Sequence, residues 1–383
     1  MSWRKINLIE QKMLFISDWL KDEFSFKDLC NRYQVSRKTG YALVNRYNLE
    51  GADAFQQKSR IRHYHPNAIT DEIKSIVIAT KQRYPNWGPV KLRDWLEINY
   101  PDGSWPASST IGDCLKKHGL VKLRHKRRRV PAHSAPLVHC NAVNQVWSAD
   151  FKGQFRLGNK GNYCYPLTIS DNFSRYLLAC HGLLSPNTEE AILLFEKIFY
   201  EYGLPYAIRT DNGQPFAGLG IGGLTRLSIW WLKLGIIPER IEPGCPEQNG
   251  RHERMHRTLK EAIQTPKIKL SDQQKMFDQF KNEYNYERPH AALDKKRPAD
   301  LHIKSLRSLP NKLPELEYPD SFSIRKVRSN GRIKWGGKQY DVSKLLYGEP
   351  VGIESIDEHR AIVYFSRLKL GIIDIKLDKI TRY

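Results

Sequence analysis

The sequence predicts a multidomain protein with helical units first, an α/β core in the middle and a small β domain last. Its 383 residues exceed the length of one ordinary domain, and its hydrophobic content of 40% is typical of globular proteins. Apolar residues recur at helical spacing in the first third, strands alternate with helices in the centre, and short strands separated by turn residues fill the end. We therefore predict N-terminal all-α helix-turn-helix units over residues 1–50 and 66–130. A central α/β core over 142–305 and a C-terminal small β-barrel over 320–383 would follow.

Composition narrows the possible partners and cofactors. The net charge of +21 and the isoelectric point near 9.6 indicate a polyanionic partner. None of the six cysteines forms a C-x-x-C pair, so we expect reduced thiols in a cytoplasmic protein and no zinc. No apolar signal-peptide core and no stretch long enough to span a bilayer is visible, so we expect no membrane partner.

The first helical unit has the pattern of a helix-turn-helix. Ser25 and Ser36 can each cap a helix by accepting hydrogen bonds from free N–H groups at its start. The second of these helices, 36–47, would be the recognition helix in a major groove. The alternative is a plain three-helix bundle with a solvated basic face. The residues predicted to contact DNA are Arg37, Lys38, Tyr41 and Asn45.

A second helix-turn-helix-like unit follows and ends in a basic run. Two tandem units would suit recognition of a long DNA end, although either could serve for packing alone. Residues 1–130 hold 25 Lys and Arg residues against 13 Asp and Glu residues, which is more than half of the net positive charge. Because the run connects two parts expected to face DNA, we predict phosphate contacts from it. The residues concerned are Arg124, Lys126, Arg127, Arg128 and Arg129.

Three carboxylates stand out in the central part. Asp150 lies on the first predicted strand, Asp211 follows the fourth, and Glu253 lies on a helix that begins near Gly250. If the first and fourth strands are neighbours, both aspartates emerge at the same edge of the sheet. A helix packed across that edge can then add the glutamate.

These residues carry a resemblance to a known family. Asp150, Thr210-Asp211-Asn-Gly and Gln248-Asn-Gly-x-x-Glu253-Arg-Met-His-Arg-Thr-Leu-Lys260 resemble the integrase core of bacterial DDE-type insertion-sequence transposases, which is similar to retroviral integrases. The segment 284–293 adds a further match. The resemblance implies a ribonuclease-H-like fold and a polynucleotidyl transferase that cleaves 3′ ends and transfers strands into target DNA.

The resemblance also implies cofactors, partners and a location. Asp150, Asp211 and Glu253 would be both catalytic residues and ligands of two Mg²⁺ (or Mn²⁺) ions, since hard divalent cations prefer oxygen ligands. The partners would be double-stranded DNA, at element ends and target, and further copies of the chain in a homodimer or higher multimer. The location would be the bacterial cytoplasm, with nucleoid association when the protein is bound to DNA.

The third carboxylate has two candidates. Glu247 follows Asp211 by 36 positions, the offset seen in many members of the family, whereas Glu253 follows it by 42. We favour Glu253 because it follows Asn249-Gly250 inside a helix, and because the glycine-rich stretch 217–223 is a natural insertion. Two further residues on the helix face of Glu253 are predicted to contact DNA phosphates. They are Arg257 and Lys260.

Other polar residues, and the function itself, have more than one interpretation. We interpret Asp171 as shaping the turn that follows it, while His252 and His256 could contact either DNA or solvent. Two alternative functions share these features. One is a catalytically silent helix-turn-helix DNA-binding regulator derived from a transposase, and the other is a nuclease that cuts DNA without joining it.

Overall fold

The chain forms two compact units, residues 1–69 and 70–383. The computed structural model describes residues 7–56, 69–121, 140–158, 161–218, 220–242, 246–263 and 265–382. The predicted DNA contacts at Arg124, Lys126, Arg127, Arg128 and Arg129 lie outside the described residues.

The first unit is a three-helix arrangement whose caps match the prediction. The Ser25 side chain accepts a hydrogen bond from the N–H of Asp28, and the Ser36 side chain accepts one from the N–H of Thr39. Each cap satisfies a donor that the first turn of a helix leaves unpaired, which fixes where the helix begins. The helices are Leu8–Leu20 (α1), Phe26–Arg32 (α2) and Arg37–Glu50 (α3).

Close helix packing in this unit depends on Gly40. This residue is buried in α3, and an added Cβ would lie 2.8 Å from the Sγ of Cys30 and 3.1 Å from the ring of Phe15. A side chain at this position would therefore push α3 away from α1 and α2.

The second unit opens with a compact helical bundle. Its core is built around Trp87, Leu92, Leu96 and Ile111, all of which are buried. Gly119 has a positive φ of 69°, which suits the left-handed conformation at the end of the last helix. The helices are Asp71–Arg83 (α4), Pro89–Asn99 (α5) and Ser108–Lys117 (α6).

The central sheet is mixed and carries helices on both faces, as predicted. Its strand order is β4-β3-β1-β5-β6, with the short β2 paired to β3. Strands β1, β5 and β6 run parallel, whereas β1, β3 and β4 pair antiparallel. The strands are Val146–Phe151 (β1), Phe155–Arg156 (β2), Tyr163–Asp171 (β3), Leu177–Leu183 (β4), Ala207–Thr210 (β5) and Ile237–Arg240 (β6).

Two apolar clusters attach the helices to this sheet. On one face Trp147 packs in a cluster with Phe195 and Trp231 of the first two helices. On the other face Leu177 packs in a cluster with Met255 and Phe277 of the next two helices. The helices are Thr188–Tyr202 (α7), Arg226–Lys233 (α8), Gly250–Ala262 (α9), Leu270–Asn282 (α10) and the short Pro298–Leu301 (α11).

The bundle of α4 to α6 packs against this core through aromatic donors and two carboxylates. Glu283 and Glu287 lie in the turn that continues α10. Glu283 accepts a hydrogen bond from Trp87 Nε1 at 3.1 Å. Glu287 accepts one from Tyr84 Oη at 3.0 Å and one from Trp95 Nε1 at 3.3 Å. The bundle is thereby tied to the motif 284–293, so packing is one established role of this second helical unit.

The C-terminal domain differs from the predicted barrel. Its five-stranded sheet has the order β13-β12-β11-β10-β7, and β8 pairs only with β9, so among the described residues no ladder closes the sheet. Instead, Leu224, Ile229 and Leu232 of the core join Val351 and Phe365 in one apolar cluster. Because α8 covers the apolar face, closure is not needed to bury it. The strands are Ser323–Lys326 (β7), Arg332–Trp335 (β8), Lys338–Asp341 (β9), Pro350–Ser355 (β10), Arg360–Phe365 (β11), Leu368–Asp374 (β12) and Lys379–Arg382 (β13).

Short strands separated by turns fill this domain, as the sequence predicts. Within the described ranges, no helix is both long and apolar enough to cross a bilayer.

The packing of the bundle against the core gives a first prediction. Replacing Glu287 by Ala removes the acceptor of the buried Tyr84 hydroxyl and Trp95 indole. We expect a loss of about 1–3 kcal/mol in the free energy of unfolding, the usual penalty for an unsatisfied buried donor. Chemical denaturation measures this loss, and amide exchange should rise in α4 to α6. Glu287→Gln keeps an acceptor and serves as the control. Unchanged exchange in the Ala variant would show that these bonds do not hold the bundle.

Candidate active site

Parallel pairing of β1 with β5 brings Asp150 and Asp211 to the same edge of the sheet. Val146 lies opposite Ala207 and Ser148 opposite Arg209, a constant offset of 61 positions. Continued along the strands, this offset places Asp150 level with Asp211, one residue beyond the end of β5. The Asp211 carboxylate is oriented by the N–H of Gly213, which donates to its Oδ1 at 3.1 Å.

Helix α9 supplies Glu253 from its first turn. Glu253 is exposed, whereas its neighbours His252 and His256 are buried against the sheet. The Nε2 atoms of both histidines lie 2.7 Å from Thr168 Oγ1, and Thr168 pairs with Asp150 across the β1–β3 ladder. The helix that carries the glutamate is therefore fixed to the strand pair that carries the first aspartate.

The proton positions in this contact follow from the number of donors and acceptors that meet at the Thr168 hydroxyl. The Thr168 hydroxyl has one proton, and it donates that proton to the backbone carbonyl of Asp150 at 3.0 Å. Its two lone pairs must then accept from His252 Nε2–H and His256 Nε2–H. His252 Nδ1 is left as an acceptor for the Ser170 hydroxyl at 2.9 Å. We call this set of contacts the histidine clamp.

The clamp corrects the expectation that these histidines contact DNA or solvent. Burial lowers the pKa of His252 well below its ordinary value, and the neighbouring His256 lowers it further. Burial, followed by the charge of Lys152, lowers the pKa of His256 to about 3. Both rings are therefore neutral near pH 7, as the single proton on each Nε2 requires. No sequence pattern marks Thr168, so the clamp was not predictable.

The three carboxylates interact electrostatically. Burial and then the charge of Asp211 raise the pKa of Asp150 to about 7, and Glu253 contributes in the same direction. A cation bound among the three carboxylates would offset their repulsion and favour the ionised form of Asp150. His256 Nδ1, 3.8 Å from Asp150 Oδ2, is the nearest ring nitrogen among the described contacts of that carboxylate.

The donor chemistry fits a hard divalent cation. All three candidate ligands are carboxylates, the donors that Mg²⁺ and Mn²⁺ prefer over sulfur. In the part of the chain that the structure describes, no three His, Cys, Asp or Glu side chains converge tightly enough to hold an ion as they stand.

The remaining predicted residues fall into three groups. Asp171 is buried and accepts hydrogen bonds from the N–H and hydroxyl of Ser174 and from the N–H of Asn144, which confirms its role in shaping a turn. The side chain of Glu247 lies outside the described residues. The predicted DNA-contact residues that the structure does describe are all exposed, on α3 and α9: Arg37, Lys38, Tyr41, Asn45, Arg257 and Lys260.

Several protein-family models match the chain along its length. Two models described as integrase core domains match the centre, at residues 141–246 and 234–298. A helix-turn-helix domain model matches 11–63, and a homeodomain-like domain model matches 39–115. The C-terminal domain of IS481 family transposases matches 322–381.

Curated relatives include proteins of bacterial insertion elements and retroviral polyproteins. An uncharacterized 39.2 kDa protein of insertion element IS476 from Xanthomonas euvesicatoria is 24% identical over 62% of this chain and 66% of its own length. An uncharacterized 31.7 kDa protein of IS407 from Burkholderia multivorans is 25% identical over 53% of this chain and 72% of its own. The Gag-Pol polyprotein of gibbon ape leukemia virus is 34% identical over 56% of this chain but only 12% of its own.

Solved structures with partial likeness include retroviral integrases. The HTLV-2 integrase catalytic core domain in complex with magnesium aligns with 43% of this chain and all of that one, at a TM-score of 0.34 and 16% identity. A simian T-cell lymphotropic virus intasome in complex with a PP2A regulatory subunit aligns with 80% of this chain and 98% of that one, at a TM-score of 0.36 and 15% identity.

The family models follow one another along the chain in the order of the domains observed here. A helix-turn-helix unit precedes an integrase core, and a C-terminal domain of the IS481 type follows. In these domains the chain therefore resembles insertion-sequence transposases with an integrase-like core.

Proposed function

We propose that this protein binds the ends of its element, cleaves them at the 3′ strand and joins them to target DNA. The observation that carries the proposal is the juxtaposition of Asp150 and Asp211 by strand register, with Glu253 brought to the same edge by the histidine clamp. Phosphoryl transfer between DNA strands needs little covalent chemistry from the protein. It needs positioning and neutralisation of charge, which a carboxylate-bound cation pair supplies.

The proposed reaction proceeds by two direct displacements at phosphorus and needs no covalent enzyme intermediate. Water first attacks a phosphodiester at the element end, so that a new P–O bond forms and the bond to the 3′ oxygen breaks. The freed 3′ hydroxyl then attacks a target phosphodiester and displaces its 3′ oxygen. Two Mg²⁺ or Mn²⁺ ions, held by Asp150, Asp211 and Glu253, would activate the attacking oxygen and stabilise the leaving one.

The protein's own residues orient these groups. The Thr168 hydroxyl fixes the backbone of Asp150 and accepts from both clamp histidines, so it fixes the first turn of α9 relative to β1. Gly213 orients the Asp211 carboxylate. Arg257 and Lys260 follow Glu253 along α9 on its exposed side, where they would contact DNA phosphates.

The proposed partners are the DNA of the element ends and target, together with further copies of the chain. The α3 residues Arg37, Lys38, Tyr41 and Asn45 share one exposed helix face, which supports major-groove contact. A multimer holding two ends and a target in the bacterial cytoplasm, at the nucleoid, would complete the reaction.

Substitution of the carboxylates tests this function. Asp150→Asn, Asp211→Asn and Glu253→Gln should each reduce joining of labelled element ends to plasmid by at least about a hundredfold, because several kcal/mol of metal-dependent stabilisation is removed. DNA binding should be retained. Glu247→Gln is the matched control and should join DNA normally. A fully active Glu253→Gln variant together with an inactive Glu247→Gln variant would transfer the role to Glu247.

The same assay separates the two alternatives. Cut ends without joined product from the unaltered protein would indicate a nuclease. A bound complex with neither product would indicate a silent DNA-binding regulator.

The histidine clamp provides another prediction. Thr168→Val keeps the side-chain shape but leaves two buried imidazole N–H groups without an acceptor. We expect the free energy of unfolding to fall by about 1–3 kcal/mol for each unsatisfied donor. We also expect Mn²⁺ affinity to weaken by roughly tenfold or more, as for other groups that orient metal ligands. Isothermal titration at a temperature where the variant is folded measures the affinity. Thr168→Ser retains the hydroxyl, and equal affinities in both variants would argue against positioning by the clamp.

The raised pKa of Asp150 makes the stability of the metal-free protein depend on pH. Because its folded pKa of about 7 lies above its ordinary value, protonated Asp150 favours folding at low pH, and this contribution disappears as pH rises from the ordinary pKa to the folded one. In EDTA, the free energy of unfolding of the unaltered protein should fall by roughly 2–4 kcal/mol, relative to that of Asp150→Asn, as the pH rises from 5 to 8. Denaturant titrations at both pH values measure the difference. Parallel pH profiles of the two proteins would contradict the proposed burial and charge repulsion.

A further inference from the structure

Helix α9 has two exposed edges. With 3.6 residues per turn, Glu253, Arg257 and Lys260 lie along one edge, and Arg251, Arg254 and Thr258 lie along the other. Between them, on the opposite side of the helix from solvent, lie the buried His252, Met255, His256 and Leu259. We call the edge with Arg251 and Arg254 the far edge of α9.

The far edge contacts the turn between β3 and β4. Arg251 Nη1 donates to the backbone carbonyl of Asn172 at 3.1 Å. Three residues further on, Arg175 ends this turn with a positive φ of 63°, and the buried Asp171 holds the turn through Ser174. The turn that Arg251 contacts therefore carries a third arginine.

The charges of the two far-edge arginines reach the guanidinium group of Arg175. Burial lowers the pKa of Arg175 to about 10, and the charges of Arg251 and Arg254 act in the same direction. Arg175 is half-buried, whereas Arg251 and Arg254 are exposed. The cluster therefore combines one half-buried guanidinium group with two exposed ones.

One donor of this cluster lacks a hydrogen-bond partner among the described residues, and none of its arginines forms an ion pair there. Arg175 Nη1 is buried and has no hydrogen-bond partner there, and no carboxylate among the described residues forms an ion pair with any of the three arginines. Cys140 lies near the buried Asp171 as well as near Arg251 and Arg175. The residues that precede it in the sequence, 122–139, include six Lys or Arg and neither Asp nor Glu, so they offer no counter-charge.

An anion with several oxygens would satisfy these donors. Arginine binds phosphate oxygens through paired N–H groups, and a buried N–H without an acceptor is costly to maintain. The two edges of α9 are separated by about the 10 Å diameter of a helix, and along its axis a DNA duplex advances by about three base pairs over that distance. A strand that reaches Glu253 and crosses α9 would bring such a phosphate to the far edge.

We propose that Arg175, Arg251 and Arg254 form a second DNA-binding site, which holds a backbone phosphate about three nucleotides from the reacting phosphodiester. The proposal rests on the proposed function, because it takes the DNA strand at Glu253 as its reference. The site is separate from the carboxylates and from Arg257 and Lys260.

Salt-dependent binding tests the site without catalysis. Full-length protein carrying Asp150→Asn would be titrated with a duplex element end in EDTA, with and without Arg251→Gln and Arg254→Gln together. The slope of log Kobs against log salt should fall in magnitude by about 0.9 for each phosphate that the double variant no longer binds. Arg226→Gln, at an exposed α8 arginine paired with Glu189, is the control and should keep the original slope.

Neutral methylphosphonates then locate the bound phosphate. Single methylphosphonates are placed in turn along the element end. The one about three nucleotides from the reacting position should weaken binding of the parent protein but not of the double variant. A double variant with the parent slope would overturn the proposal. A reduced slope would also overturn it if no methylphosphonate position distinguished the two proteins. Thermal stabilisation by inorganic phosphate alone, without any change in DNA binding, would overturn it as well. Arg175→Gln provides an independent variant, with its melting temperature as the check on folding.

These outcomes are distinguishable from failure of the proposed function. If the unaltered protein joins no DNA but the double variant changes the slope, the second site stands and the transposition chemistry is wrong. If joining occurs and the slope is unchanged, the chemistry stands and the second site is wrong.

Discussion

Parallel pairing of β1 with β5 is the constraint on which the site depends. The two strands are far apart in sequence, yet their register places Asp150 level with Asp211 at the edge of the sheet. Because the strands are buried on both faces, a slip by one residue would turn apolar side chains such as Trp147 and Ile208 away from their cluster. The same packing that stabilises the sheet therefore holds the two aspartates together.

Helix α9 adds chemistry to this edge because it is fixed by polar as well as apolar contacts. Met255 and Leu259 bury its apolar side, and the histidine clamp joins its first turns to Thr168. A neutral imidazole pair is suited to this role, since charged rings would add a cost of burial and would compete with a bound cation for the carboxylates. Along its exposed edges the same helix presents Glu253 on one side and two arginines on the other.

The domains around the core are attached by different means. Glu283 and Glu287 hold the bundle of α4 to α6 through aromatic donors, whereas α8 shares an apolar cluster with the C-terminal sheet. The predicted barrel was wrong for this reason. Strand positions follow from alternation along the chain, but closure depends on which surfaces are covered, and here a helix of the core covers the open sheet.

The sequence by itself determined the helix starts at Ser25 and Ser36 and the strands of the core other than the short β2. It also determined the motifs around Asp150, Asp211 and Glu253, because caps, periodicity and short motifs are local properties. Only the tertiary structure decided that His252 and His256 are buried on Thr168 and that Arg175 lies beside Arg251. Those contacts join residues about 80 positions apart. Their geometry depends on strand register and helix rotation, which no local pattern encodes.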